Sequence, residues 1–257
     1  MTSVLRLERV SKNFGALTVV DGLSFALAEG EALGIIGPNG AGKTTLFNVI
    51  SGFTAPSHGS VHFAGEAITG LAPQMIAARG LVRTFQLVQL FENLTVLENV
   101  QVGRHLHTSG GLLSALTPFR GRAIEVDVEQ RARELLRKAG LEAQADALAG
   151  VLPYGQKRLL EIARALATEP KLLLLDEPAA GLSHVETARL SDLIRAVAAS
   201  GVTVLLIEHD MSFVMTIADR VAVLDFGKLI ATGTPREVQQ DPDVIAAYLG
   251  SAEARHA

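Results

Sequence analysis

The run Gly37-Pro38-Asn39-Gly40-Ala41-Gly42-Lys43-Thr44 has the glycine spacing and the closing Lys-Thr pair of a loop that wraps a phosphate chain. Gly37, Gly40 and Gly42 can take backbone angles closed to residues with a Cβ, so successive amide N–H groups can converge on a β-phosphate. All eight residues are candidate nucleotide contacts. Lys43 is placed to reach the β- and γ-phosphates, Thr44 to put its hydroxyl on Mg²⁺, and Thr45 to meet an α-phosphate oxygen. The chemistry is that of a nucleoside triphosphate. A second cluster, Asp176-Glu177, ends the apolar run Leu172-Leu173-Leu174-Leu175. Asp176 is the candidate Mg²⁺ holder, through water, and Glu177 the better candidate to polarise an attacking water, because a base beside the γ-phosphate must be free of the metal. His209 follows the run ending Leu206-Ile207-Glu208 and could hydrogen-bond the γ-phosphate and that water.

These groups need a frame that presents them at one edge. Ala32 to Ile36 is a short apolar run of strand type, and Leu46, Phe47, Val49 and Ile50 recur at helical spacing, so a strand feeds the loop and a helix leaves it, adding its dipole to the phosphate site. Leu172 to Leu175 and Val202 to Ile207 are continuous apolar runs separated by a helical stretch from His184 to Ala199, the pattern of strands buried on both faces of a parallel sheet. Both carboxylates then sit where open α/β sheets place their ligand crevice. Val4 to Val10 and Leu17 to Leu27, around turns at Asn13-Phe14-Gly15 and Asp21-Gly22, read as antiparallel strands, and Ser60 to Ala64 continues that style. Ala72 to Ala78, Val126 to Ala139 and Gln156 to Ala167 read as helices, the last ended near Glu169-Pro170. His105 to Gly121 reads as a loop with a short helix. Val221 to Leu224 and Leu229 to Ala231 flank a hairpin turn, and a short helical tail follows, ending near Leu249.

The chain has 257 residues, 48% of them apolar, enough for one large domain with subdomains. A formal net charge of -4 without a basic block argues against nucleic acid as a partner. Met1 to Gly15 lacks the pattern of a signal peptide and no apolar run nears the length of a bilayer span, so the chain is expected to stay in the cytoplasm. The absence of cysteine excludes disulfides, thiolate zinc sites and thiol catalysis. No internal duplication is present, so one nucleotide-binding unit is expected.

Leu152-Pro153-Tyr154-Gly155-Gln156, set before an amphipathic helix and ahead of Asp176-Glu177, resembles the signature of the ABC transporter ATP-binding subunits, usually written Leu-Ser-Gly-Gly-Gln. The resemblance covers nearly the whole chain in the family's motif order. It implies an α/β fold: a P-loop NTPase core of the RecA type, an antiparallel β subdomain and a helical signature subdomain at about 87–165 of a single 1–257 domain. It implies that Phe14 stacks on adenine, that Gln86 in Arg83-Thr84-Phe85-Gln86 is the glutamine-loop residue serving Mg²⁺ and catalysis, that Ala180-Gly181-Leu182-Ser183 is the loop after the magnesium strand, and that His209 is the switch histidine. Members pair head to tail, each ATP lying between one subunit's phosphate loop and the other's signature helix, so Tyr154, Gly155 and Gln156 would meet the partner's ATP. Gly155 would permit close backbone approach, beside a helix N-terminus near Gln156. Two positions depart from the pattern. Pro153 stands at the usual signature serine, removing a hydroxyl, and Ser183 at a common aspartate.

The signature form, Asp176-Glu177-Pro178-Ala179-Ala180-Gly181-Leu182, the long segment His105 to Arg122 and the tail Asp241 to Gly250 are similar to importers of branched-chain amino acids and related hydrophobic amino acids or amides. That resemblance implies ATP and Mg²⁺, a second ATPase subunit in a homo- or heterodimer, two membrane permeases, an external solute-binding protein, a place at the cytoplasmic face of the membrane, and no appended regulatory domain. Leu90, Phe91, Leu94 and Leu97 would either receive a permease helix or form core. The rival readings are the ATPase of a lipid or polysaccharide exporter and a soluble ABC ATPase outside transport.

Overall fold

The computed structural model describes residues 3–104 and 118–253, with side chains at 3–104 and 126–248. The chain divides into two units, Met1–Arg83, Lys171–Ala180 and Ile194–Ala257 in one, Thr84–Pro170 and Gly181–Leu193 in the other.

In the first unit, alternation of apolar and polar residues gives β1 (Ser3–Phe14) and β2 (Leu17–Ala28), which pair antiparallel and bury Leu5, Leu7, Val10, Val20, Leu23 and Leu27 on one face. With β4 (His58–Phe63) and β5 (Glu66–Ala67) they form a four-stranded antiparallel sheet in the order β2-β1-β4-β5. The second sheet has β3 (Ala32–Ile36), β6 (Leu81–Arg83), β7 (Leu172–Asp176), β8 (Thr203–Ile207), β9 (Arg220–Asp225) and β10 (Lys228–Gly233), in the order β10-β9-β3-β8-β7-β6. Only β10 runs antiparallel to its neighbour. Every residue of β3, β7 and β8 is buried, as the unbroken apolar runs require. α1 (Lys43–Ile50) contributes Leu46, Phe47, Val49 and Ile50 to a core shared with both sheets. At about 2 kcal/mol per buried aliphatic side chain, this core is the main force holding the loop before α1 in place. α2 (Pro73–Ala77), α7 (Met211–Ile217), α8 (Pro235–Gln240) and α9 (Pro242–Glu253) complete the unit, with α8 closed by a Thr234/Glu237 capping box. The second unit packs α3 (Val96–Arg104) against α4 (Pro118–Lys138) and α5 (Tyr154–Leu166). The unit boundary falls within α6 (His184–Ala199).

The α/β class and the mixture of parallel and antiparallel sheets are those expected. Several local readings change. Asp21-Gly22 is no chain reversal: it lies inside β2, where the pairing slips between Val10↔Leu23 and Lys12↔Val20, and Gly22 at φ 63 forms a bulge whose N–H is taken by Ser11 Oγ at 2.9 Å. β6 was not anticipated, being a three-residue edge strand. Neither was α3, although Thr95 and Glu98 announce it by exchanging side-chain and backbone bonds, Thr95 N to Glu98 Oε2 at 2.7 Å and Glu98 N to Thr95 Oγ1 at 3.1 Å. The loop with a short helix expected from His105 to Gly121 lies mostly outside the described residues, and α4 begins at Pro118, ahead of the expected Val126. Of the apolar set offered either to a partner or to core, Leu97 is buried, Leu90 and Leu94 are half-buried and Phe91 is exposed, with the Arg164 guanidinium 5.6 Å from its ring centre.

Candidate functional site

The strand register sets three carboxyl ends level: Ile35 and Asp176 both pair with Ile207, and Ile36 pairs with Val223. Gly37, Glu177 and Glu208 therefore leave the sheet along one edge. The phosphate loop occupies it. Gly42 is the N-cap residue of α1 in the left-handed region at φ 94, and a Cβ there would come within 2.5 Å of Val19 O, so both its conformation and its surroundings demand glycine. No side chain caps α1 and its first turn holds no acid, which leaves the helix N–H groups to an anion. The β9-β10 turn braces the loop, Gly227 N donating to Ala41 O at 3.1 Å while Asp21 N donates to Gly227 O at 2.9 Å. Thr44 is exposed, Thr45 half-buried, and Pro38, Asn39 and Gly40 line the open side.

Lys43 is buried, its ammonium donating to Gly37 O at 2.7 Å and Pro38 O at 2.9 Å. Burial lowers its pKa from the ordinary lysine value, and the nearby Glu177 carboxylate opposes that shift. Glu177 itself holds a left-handed φ of 44, a costly geometry for a residue with a Cβ, and its N–H donates to Ile207 O at 3.0 Å. Asp176 is engaged by a group that sequence reasoning missed: Arg83 Nη2 lies 2.6 Å from Asp176 Oδ2, both side chains 7% exposed. The same guanidinium donates to Asn48 Oδ1 at 2.8 Å and Ser51 Oγ at 3.0 Å on the loop helix and its cap, and lies near the rings of Phe47 and Phe53. Arg83 thus ties β7 to α1. His209 is exposed, and its Nδ1 is 3.6 Å from the fully buried Glu208 carboxylate. Burial raises the Glu208 pKa, while bonds from the amides of Ala179, His209 and Asp210 work the other way. Phe14 is half exposed at the end of β1, with Lys12 Nζ 5.0 Å from its ring centre.

The second unit carries the remaining candidates. α5 starts at Tyr154, two residues before the position expected from sequence, with Pro153 as its N-cap residue and no side-chain cap. Tyr154, Gly155 and Gln156 therefore stand in its first turn, Tyr154 exposed and Gln156 half-buried. A Cβ at Gly155 would meet Glu186 Oε1 at 2.2 Å, so a larger residue there would displace the Glu186 side chain. Ser183 is a helix cap: its N–H and Oγ donate to Glu186 Oε2 at 2.9 and 2.7 Å, and these bonds hold the Glu186 carboxyl below its usual range. Gln86 is exposed, and its carbonyl accepts from Arg158 Nη2 at 2.6 Å while Phe85 O accepts from Nη1 at 2.7 Å. Arg158 is fully buried and paired with Glu161 at 2.7 Å, which locks the Gln86 loop to the signature helix; burial still raises the Glu161 pKa. The i, i+3 spacing of Arg158 and Glu161 was the only signal for this in the sequence.

Chemically, the first unit gathers amide donors, a lysine, the buried Asp176 carboxylate, a strained glutamate and a histidine along one edge. The uncapped α1 N-terminus fits a triphosphate, and the Thr44 hydroxyl with the Asp176 carboxylate is an oxygen donor set of the kind that suits Mg²⁺. Among the described residues no group of three or more His, Cys, Asp or Glu is placed to hold a metal ion.

A model of the ABC transporter family matches residues 20–180, and one of the branched-chain amino acid ATP-binding cassette transporters matches residues 228–254. The chain is 44% identical over 252 residues, 97% of this chain and 98% of the other, to the high-affinity branched-chain amino acid transport ATP-binding protein BraF of Pseudomonas aeruginosa. It superposes with a TM-score of 0.83 and 34% identity on a crystal structure of the ADP conformation of an ATP-binding cassette of an ABC transporter, covering 97% of this chain and 100% of that one. The dimeric structure of a post-hydrolysis state of another cassette, bound to ADP and Pi, is similar at a TM-score of 0.75 and 26% identity, covering 90% and 99%.

Proposed function

Because this chain belongs to the ABC transporter family of ATP-binding proteins, we propose that it is the ATP-hydrolysing subunit of a membrane importer for branched-chain or other hydrophobic amino acids or amides. The observation that carries the reading is the coincidence of a complete phosphate loop on an uncapped helix with Asp176, Glu177 and His209 on the same sheet edge. Likeness over nearly the full length to an amino acid importer ATPase supports the substrate class.

In this reading the adenine stacks on Phe14, the amides of residues 37–45 hold the phosphates, and Lys43 turns from its own loop carbonyls to the β- and γ-oxygens. When bound, Mg²⁺ would be held by Thr44 and Asp176 with Gln86 as a further protein contact, and would supply positive charge that neutralises the charge developing on the phosphates. Glu177 orients and polarises the water, and His209 hydrogen-bonds the γ-phosphate and that water. The first turn of α5, with Tyr154, Gly155 and Gln156, faces the ATP of a second ATPase subunit, so closure of the pair requires nucleotide in both contributions. Pro153 leaves that contact to backbone amides and the helix dipole, since no serine hydroxyl is present. Hydrolysis removes the charge arrangement that bridges the subunits and lets them part, a movement passed to integral membrane permeases.

Among the described residues no helix is long and apolar enough to cross a membrane, which agrees with peripheral attachment at the cytoplasmic face through those permeases. Affinity purification of the chain from native membranes tests the reading. Co-purification of integral membrane subunits, with ATPase activity stimulated by a solute-binding protein loaded with a branched-chain amino acid, is the expected result. Recovery of an active ATPase with no membrane subunit would favour a soluble role, and stimulation by a lipid alone would favour an exporter.

A further inference from the structure

Glu208 directly follows β8, and its side chain is completely shielded from solvent, yet the hydrolytic scheme above gives it no task. A buried carboxylate is costly unless donors take up its oxygens, so the donors it has gathered show what it organises. Oε1 accepts from the Ala179 N–H at 2.7 Å. Oε2 accepts from the His209 N–H at 3.2 Å and lies 3.6 Å from His209 Nδ1. The Asp210 amide also faces the carboxylate, and Asp210 in turn caps α7.

Ala179 stands two residues past Glu177, in a turn closed by Ala180 N donating to Glu177 O at 3.2 Å. One carboxylate therefore pins the turn that carries the water-polarising residue to the segment that carries the histidine. Of the backbone bonds alongside, Glu177 N to Ile207 O at 3.0 Å joins the two segments at the sheet edge and Glu208 N to Ile35 O at 3.3 Å anchors the second to β3, and the Glu208 carboxylate adds a tie beyond that edge, at Ala179.

We propose that Glu208 is a positioning residue for ATP hydrolysis, holding the Glu177 turn and His209 at a fixed separation through the Ala179 and His209 amides. Its side chain is fully shielded from solvent, so in this scheme it governs the chemical step and not ATP affinity. The inference rests on the function proposed above.

Glu208→Gln keeps the shape, but its amide nitrogen cannot accept from an N–H, so one tie is lost; Glu208→Ala loses both. Hydrogen exchange on the full nucleotide-free chain should show the amides of Ala179, His209 and Asp210 exchanging about tenfold faster or more in Glu208→Ala, with β7 and β8 unchanged and Glu208→Gln intermediate. In steady state, kcat should fall by about tenfold or more while KM for ATP stays within about threefold, and in a His209→Ala background the further loss should shrink to under about threefold. Unchanged exchange at Ala179, an unchanged kcat, or full additivity with His209→Ala overturns the proposal. Should Glu208→Ala not fold, the isosteric Glu208→Gln carries the same comparisons. If instead Glu177→Gln turns over normally, the hydrolytic scheme fails while the exchange result still reports whether Glu208 pins the two segments.

Discussion

Replacing Arg83 by methionine tests the tie between the Asp176 carboxylate and the loop helix. The pair is buried on both sides, at 7% exposure each and 2.6 Å apart, so the substitution leaves Asp176 charged, shielded and without its counter-ion. Losing one partner of such a pair costs about 3–5 kcal/mol, far above the fraction of a kcal/mol for an exposed pair. Methionine keeps much of the apolar stem between Phe47 and Phe53, so packing changes little. Asn48 also loses a donor, whereas Ser51 Oγ keeps its bond to Phe47 O at 2.6 Å. At about 2–4 °C per kcal/mol for a chain of this size, scanning calorimetry of the nucleotide-free protein should show Tm lowered by about 6–20 °C. Adding Asp176→Asn removes the orphaned charge and should recover at least about 2 kcal/mol. A Tm drop under about 2 °C, or a double variant no more stable than Arg83→Met, would refute the argument.

Lys43→Ala removes a charged donor to the phosphates and should weaken ATP binding about tenfold or more by calorimetry; unchanged affinity counts against the loop assignment. Gly42→Ala forces a Cβ to within 2.5 Å of Val19 O at φ 94, so both ATP affinity and thermal stability should fall, the strain term alone being about 1–2 kcal/mol. Ser183→Ala should cost about 1 kcal/mol in urea unfolding through loss of the α6 cap, while Ser183→Thr, which keeps the hydroxyl that caps α6 and donates to Glu186, should stay within about 0.5 kcal/mol of the parent. Equal losses in the two would show that Ser183 does something other than cap.

The phosphate loop and the strands that lead to Asp176 and His209 were legible because their signals are local: glycine spacing, unbroken apolar runs, a change of period. Arg83 was not, since its partner lies 93 residues away and nothing nearby distinguishes it from a surface arginine. Glu208 and Arg158 share that difficulty, being charged residues in amphipathic surroundings whose burial only the tertiary structure reveals. Asp21-Gly22 misled for the opposite reason, because a bulge inside a long strand uses the same residues as a reversal. Gly155 was singled out for approach by a partner's nucleotide, and within the chain its neighbour is the Glu186 side chain, which sequence spacing did not show. α3 was within reach through its Thr95 to Glu98 spacing, whereas β6 is too short to leave a pattern.

Glu177→Gln goes most directly to the central claim that this sheet edge is an ATP-hydrolysing centre. The variant should bind Mg-ATP within about threefold of the parent by calorimetry while turnover falls by about a hundredfold or more, the scale expected for loss of a general base. Turnover within about tenfold of the parent would contradict the account.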